Sequence, residues 1–203
     1  MKRPVLITLK TLAWMACLWP LARLLWGTAT SNLGADPTAT ITFATGLATL
    51  RILTISLAVT PLRRLSPRLG WLIKFRRLLG LFAFFYASLH LLTYIALYAG
   101  FDVNAMAVDI AKRRYITAGV AAWLLLLPLA ATSTNWAIRK LGGARWRRLH
   151  KLVYAAAVCG VIHYWWQVKP GVRTPLTITV VLAVLLIARP IQEWMQRRKA
   201  RIA

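Results

Sequence analysis

Two stretches of this chain, residues 78–101 and 115–138, contain no Asp, Glu, Lys or Arg, and short basic clusters flank both. A run of about 20 uncharged residues spans a hydrocarbon core of roughly 30 Å as a helix. In lipid every backbone polar group needs an internal partner, and a helix supplies them all. The same alternation resolves a composition that otherwise conflicts with itself. Lys and Arg number 27 against 4 Asp and Glu, a formal charge of +23, yet 59% of the residues are apolar. A nucleic-acid-binding domain carries such an excess of charge on a polar surface. Here the charges sit between apolar runs, which argues against a nucleic-acid partner, a soluble enzyme or a disordered polycation, and makes membrane lipid the expected surrounding.

The apolar windows predict six transmembrane helices, near 5–27, 43–61, 76–98, 115–133, 151–168 and 174–190. They form one all-α polytopic bundle over residues 1–203, with short loops and no room for an extramembrane catalytic domain. The signal Lys169-Pro170-Gly171 separates the last two windows. The first window opens on Met-Lys-Arg-Pro but lacks a small-residue cleavage pattern, so it is expected to be a retained helix rather than a signal peptide. No internal repeat stands out. Neither Cys17 nor Cys159 belongs to a Cys-x-x-Cys pattern, and no glycine-rich nucleotide-binding motif occurs.

Basic residues set the orientation. The N-terminus, the 2–3 loop (Arg63, Arg64, Arg68, Lys74, Arg76, Arg77), the 4–5 loop (Arg139, Lys140, Arg145, Arg147, Arg148, Lys151) and the C-terminal tail (Arg189, Arg197, Arg198, Lys199, Arg201) hold 20 of the 27. Six lie on the other side, and Arg51 lies within a span. The positive-inside rule then places both termini in the cytoplasm, as expected for a multi-pass protein of a bacterial inner membrane.

All three histidines fall in or beside predicted spans, where an ionisable side chain is costly and marks a site by default. His90 follows Arg77 by 13 residues and His163 follows Arg148 by 15, so both lie about 20 Å along their helices from the basic edge, at 1.5 Å per residue. Two parallel helices carrying imidazoles at one depth can hold a flat macrocycle with a histidine on each axial position, the arrangement of a b-type haem. The competing reading is that each histidine bridges to a neighbouring helix. His150 lies near the basic surface, where it either ligates a second haem or meets lipid headgroups. Helix 3 offers no histidine at that depth, only Arg76, Arg77 and Leu78, so a second haem needs an unusual ligand; Arg77 is the candidate cofactor contact there. Arg51, midway along the second span with no acid in any span, fits an anionic ligand group such as a haem propionate, or a quinone oxygen.

Several segments together carry a resemblance: Gly34-Ala35-Asp36-Pro37, Thr60-Pro61-Leu62-Arg63, Arg76-Arg77-Leu78-Leu79-Gly80-Leu81 leading to His90, Tyr115-Ile116-Thr117 with Gly119, Leu149-His150, and His163-Tyr164. Over roughly residues 30–170 the chain resembles the MsrQ family, the haem-binding membrane subunits of periplasmic methionine sulfoxide reductase systems (MsrPQ), within the ferric-reductase-like transmembrane superfamily. One departure is Arg113-Arg114-Tyr115, where the family pattern has Arg-Pro-Tyr. The resemblance implies b-type haem and a flavin mononucleotide (FMN). It implies electrons drawn from the quinone pool or a cytoplasmic flavin reductase and passed to a periplasmic molybdopterin-containing methionine sulfoxide reductase. A ferric or cupric reductase subunit differs only in the acceptor. A cofactor-free permease and a structural assembly subunit are the alternatives outside redox chemistry.

Overall fold

Helices start where the sequence supplies caps. Asp36 accepts a hydrogen bond from the Ala39 N–H at 2.9 Å, and Pro37 opens helix α2 (Pro37–Leu65) at the position where a missing N–H is harmless. Ser66 then caps a 3₁₀ segment, Pro67–Phe75, which leads into α3 (Arg76–Thr93). The computed structural model describes residues 3–168 and 174–202; Lys169-Pro170-Gly171 and Arg173 lie outside the described residues. Before α2 comes α1 (Arg3–Ala29). After α3 come a π-helical turn (Tyr94–Tyr98), α4 (Val103–Lys112), α5 (Arg114–Ala131), the short α6 (Asn135–Leu141) and α7 (Gly143–Leu149), α8 (Leu152–Gln167) and α9 (Thr174–Ile202). No β-strand occurs among the described residues.

Five segments are long and apolar enough to cross a membrane: α1, α2, the continuous run Pro67–Tyr98, α5, and Pro175–Gln192 within α9. The protein is a multi-pass membrane protein. The expected fifth span is α8, which carries no charged residue but has only 16 residues, about 24 Å of helix. The region between α3 and α5, expected to be a loop, contains α4, and the loop after α5 contains α6 and α7.

Two antiparallel hairpins form the bundle. α2 packs along α3 and α5 along α8, while α3 and α8 are not among the closely packed pairs. The core between them is built from Leu53, Leu57, Ala83, Tyr86, Ala156 and Ala157, each at most 3% exposed. Small residues at 83, 156 and 157 let backbones approach where lipid offers no hydrophobic drive for helix association.

Two side chains from neighbouring helices bond the backbone beside prolines inside the spans. Pro61 has no N–H to give the Leu57 carbonyl one turn earlier, and Arg189 of α9 donates to that carbonyl and to the Tyr154 hydroxyl. Arg189 is only 7% exposed. The sequence groups it with the basic C-terminal tail; α9 instead continues through it and turns it into the bundle. In α1, beside Pro20, the fully buried Tyr86 hydroxyl donates to the Cys17 carbonyl at 2.7 Å and accepts from the Leu21 N–H at 3.1 Å. That N–H and carbonyl are the pair one regular helical rung would join.

Candidate functional site

The structure brings His90 of α3 and His163 of α8 together across the gap between the hairpins. Their ring centroids are 5.8 Å apart and their planes 80° from parallel. Each ring is fixed from behind. His90 Nδ1 lies 2.9 Å from the Thr42 carbonyl oxygen of α2, and His163 Nδ1 lies 2.6 Å from the Tyr115 carbonyl oxygen of α5. A carbonyl can only accept, so in both rings Nδ1 carries the proton and Nε2 keeps its lone pair. Both histidines therefore make the helix-bridging hydrogen bond and still present a free ligand nitrogen, so the two readings of a membrane histidine are not exclusive.

Glycine makes these contacts possible. A Cβ at Gly46 would stand 3.0 Å from His90 Cε1, and one at Gly119 would stand 2.8 Å from His163 Nδ1. Each glycine lies one helical turn beyond the carbonyl that holds the same ring. The two halves match in detail: positions 42, 46 and 90 become 115, 119 and 163 on a shift of 73 residues. No internal repeat is visible in the sequence because the shared elements are a backbone carbonyl, a glycine and a histidine, with little else in common.

An imidazole binds a metal at about 2.0–2.1 Å through its nitrogen, so two axial imidazoles on one metal have centroids about 6 Å apart. The observed 5.8 Å fits a single metal held between the rings. α3 and α8 do not pack closely along each other, and the Nδ1 bonds supply the orienting partner that metal-binding histidines use. The residues present therefore fit an axially ligated macrocycle.

His150 lies at the other, basic end of the bundle, at the C-terminus of α7. Its ring stacks on Trp146, with centroids 3.9 Å apart, and its Nε2 is 3.1 Å from the Thr132 hydroxyl. Burial, and then the nearby Arg76 guanidinium, push its pKa below the ordinary histidine range, towards the neutral form that can ligate a metal. Arg77 is exposed and donates to the Asn135 side chain at 3.1 Å. Both His150 and Arg77 thus reach the α5–α6 junction, and Arg77 is the residue that the 73-residue shift carries onto His150.

Arg51 is not brought to either histidine group. It lies on the outward stripe of α2 with Phe43, Ile55 and Leu62, all exposed, because Leu50, Leu53 and Leu57 occupy the inward face. At the opposite end from His150, Asp109 of α4 pairs with Arg113 at 2.9 Å and accepts from the Tyr94 hydroxyl at 3.0 Å. Arg114 is the first residue of α5, a position that proline favours.

The ferric reductase like transmembrane component family matches residues 39–161, which contain both hairpins except the first two residues of α2 and the last six of α8, among them His163. A protein-methionine-sulfoxide reductase heme-binding subunit MsrQ from Herminiimonas arsenicoxydans is 48% identical over 97% of this chain and 90% of its own length. The chain belongs to the MsrQ family. Other members similar to it come from Ralstonia nicotianae, 46% identical over 93% of this chain and 86% of that protein, and Bordetella pertussis, 44% identical over 95% and 94%. The Thr42, Gly46, Tyr115 and Gly119 contacts were not legible as functional from the sequence. A glycine 44 residues before each deep histidine was the one available signal.

Proposed function

We propose that this MsrQ-family chain is a b-type haem electron-transfer subunit of the inner membrane, with both termini in the cytoplasm and α8 as its sixth crossing. It carries electrons from the quinone pool or a cytoplasmic flavin reductase to a periplasmic molybdopterin-containing methionine sulfoxide reductase. The observation that carries this reading is the His90–His163 pair, with both Nδ1 protons committed and both Nε2 lone pairs free. When bound, haem supplies one-electron redox chemistry within the bilayer. His90 and His163 hold the iron from the two hairpins, and the carbonyls of Thr42 and Tyr115 fix the tautomer and raise the basicity of the ligand nitrogens.

His150 and Arg77 are assigned to a second haem at the cytoplasmic end. The 73-residue correspondence supports Arg77 as the counterpart of His150. Arg51, facing lipid, is accessible to a quinone head group arriving through the bilayer, which favours that partner over a propionate held inside the bundle. The FMN phosphate is assigned to the basic cytoplasmic loops. On the outer face Lys112, Arg113 and Arg114 are exposed, a surface suited to an acidic protein acceptor and unsuited to a free ferric or cupric cation.

The test is the visible spectrum of the purified protein. A dithionite-reducible b-type spectrum is expected, lost from the outer centre in His90→Ala and in His163→Ala. A colourless protein, or an unchanged spectrum in the double variant, overturns the reading. Methionine sulfoxide repair in the periplasm of a deletion strain, measured beside iron uptake, separates the two acceptors.

A further inference from the structure

The two deep histidines are joined by a second route at the outer end of the bundle, through Tyr94 and Asp109, which the haem reading leaves without a role. Asp109 uses both carboxylate oxygens: Oδ2 accepts from the Tyr94 hydroxyl at 3.0 Å and Oδ1 pairs with Arg113 Nε at 2.9 Å. Arg113 Nη1 in turn donates to the Tyr115 hydroxyl at 3.3 Å. Tyr94 is one turn beyond His90, and its N–H bonds the His90 carbonyl. Tyr115 supplies the carbonyl that holds the His163 ring. A continuous chain of contacts therefore runs from His90 through Tyr94, Asp109, Arg113 and Tyr115 to His163.

We propose that Asp109 is a positioning residue for the paired imidazoles, tying the end of α3 to the start of α5 so that the two rings keep their separation and their near-perpendicular planes. The proposal rests on the reading of His90 and His163 as axial ligands. A carboxylate is needed because both of its oxygens accept. An asparagine loses the ion pair with Arg113, and with its oxygen on Arg113 it can keep Tyr94 only by reversing that hydrogen bond, its amide donating to the hydroxyl. A mere brace for α4 is a different claim. Asp102 provides that comparison, since it caps the start of α4 by accepting from the Asn104 and Ala105 N–H groups and touches neither tyrosine.

The experiment compares wild type, Asp109→Asn, Asp109→Glu and Asp102→Ala as full-length haem-loaded protein, by electron paramagnetic resonance of the oxidised form. Near-perpendicular axial imidazoles give a strongly anisotropic low-spin signal. That signal is expected in wild type and in Asp102→Ala. In Asp109→Asn it shifts and broadens with haem content retained, and Asp109→Glu restores most of it. An unchanged signal in Asp109→Asn, or the same change in Asp102→Ala, overturns the proposal. A second arm needs no haem: nitrogen NMR of the imidazoles in haem-free protein reads the protonated Nδ1 of His163 directly. Asp109→Asn is expected to raise the share of the Nε2-protonated form. An unchanged tautomer there overturns the positioning role even where wild type binds no haem, an outcome that would separately remove the haem reading.

Discussion

His163 lies so close to Gly119 that a methyl group on that glycine would stand 2.8 Å from the ring nitrogen that bonds Tyr115. The ring cannot yield easily, because withdrawing it breaks the 2.6 Å contact that fixes its tautomer. Gly119→Ala is therefore expected to displace the imidazole, at an overpacking cost of about 1–3 kcal/mol. Gly46→Ala, with its nearest approach at 3.0 Å, should act in the same direction but less strongly. Haem content and the position of the reduced absorption bands measure both. Equal, wild-type spectra in the two variants would show that the glycines are not what seats the rings.

Tyr86 illustrates a repair of the membrane-embedded backbone by a side chain. Its hydroxyl serves both the Cys17 carbonyl and the Leu21 N–H beside Pro20, and the residue is fully buried. Tyr86→Phe removes both bonds while keeping the ring; the Cys17 carbonyl and Leu21 N–H are left to pair with each other along the helix, so the loss is that of a net hydrogen bond, about 0.5–1.5 kcal/mol. Thermal unfolding in detergent should show a clear loss of stability, with the haem spectrum of the remaining folded protein unchanged.

Much of the fold was legible because basic pairs mark the edge of the apolar runs. Arg76-Arg77 and Arg147-Arg148 served as rulers that put His90 and His163 at one depth, and the rings do meet. What stayed hidden has a physical reason in each case. The acceptors for both Nδ1 protons are backbone carbonyls of Thr42 and Tyr115, and a carbonyl leaves no mark on residue type. Arg189 reads as part of a charged tail because nothing in the sequence says that Pro61, 128 residues earlier, leaves a carbonyl for it to satisfy. Arg51 reads as a charge at membrane depth from its central place in the span, whereas its side depends on which stripe of α2 the leucines take. Asp109 reads as an ordinary acid outside the membrane until Tyr94 and Arg113 are seen on either side of it.

The Arg189–Pro61 relationship predicts a coupled pair. Arg189→Met keeps much of the side-chain volume but leaves the Leu57 carbonyl unsatisfied, and should destabilise by about 1–3 kcal/mol. Pro61→Ala restores the N–H that this carbonyl would receive within α2. In the Pro61→Ala background the same Arg189 substitution should cost measurably less, a coupling read from a double-mutant cycle of unfolding free energies. Strict additivity would mean that Arg189 stabilises the bundle by some route other than the proline's orphaned carbonyl.

Arg77 and His150 occupy corresponding positions in the two hairpins, and each contacts the α5–α6 junction, through Asn135 and Thr132 respectively. If they flank one centre at the basic end of the bundle, replacing the guanidinium with an imidazole should leave that centre in place and change its ligand field. Arg77→His is expected to retain haem at the wild-type ratio and to add a second bis-imidazole low-spin signal. His150→Ala is expected to lose the second centre and keep the first, because His150 is at the far end of α8 from His163, about 20 Å along the chain axis. Haem quantification with electron paramagnetic resonance on the two variants reads both outcomes. Full haem content in His150→Ala, together with an Arg77→His spectrum identical to wild type, would assign His150 to its Trp146 stack and Thr132 hydrogen bond alone.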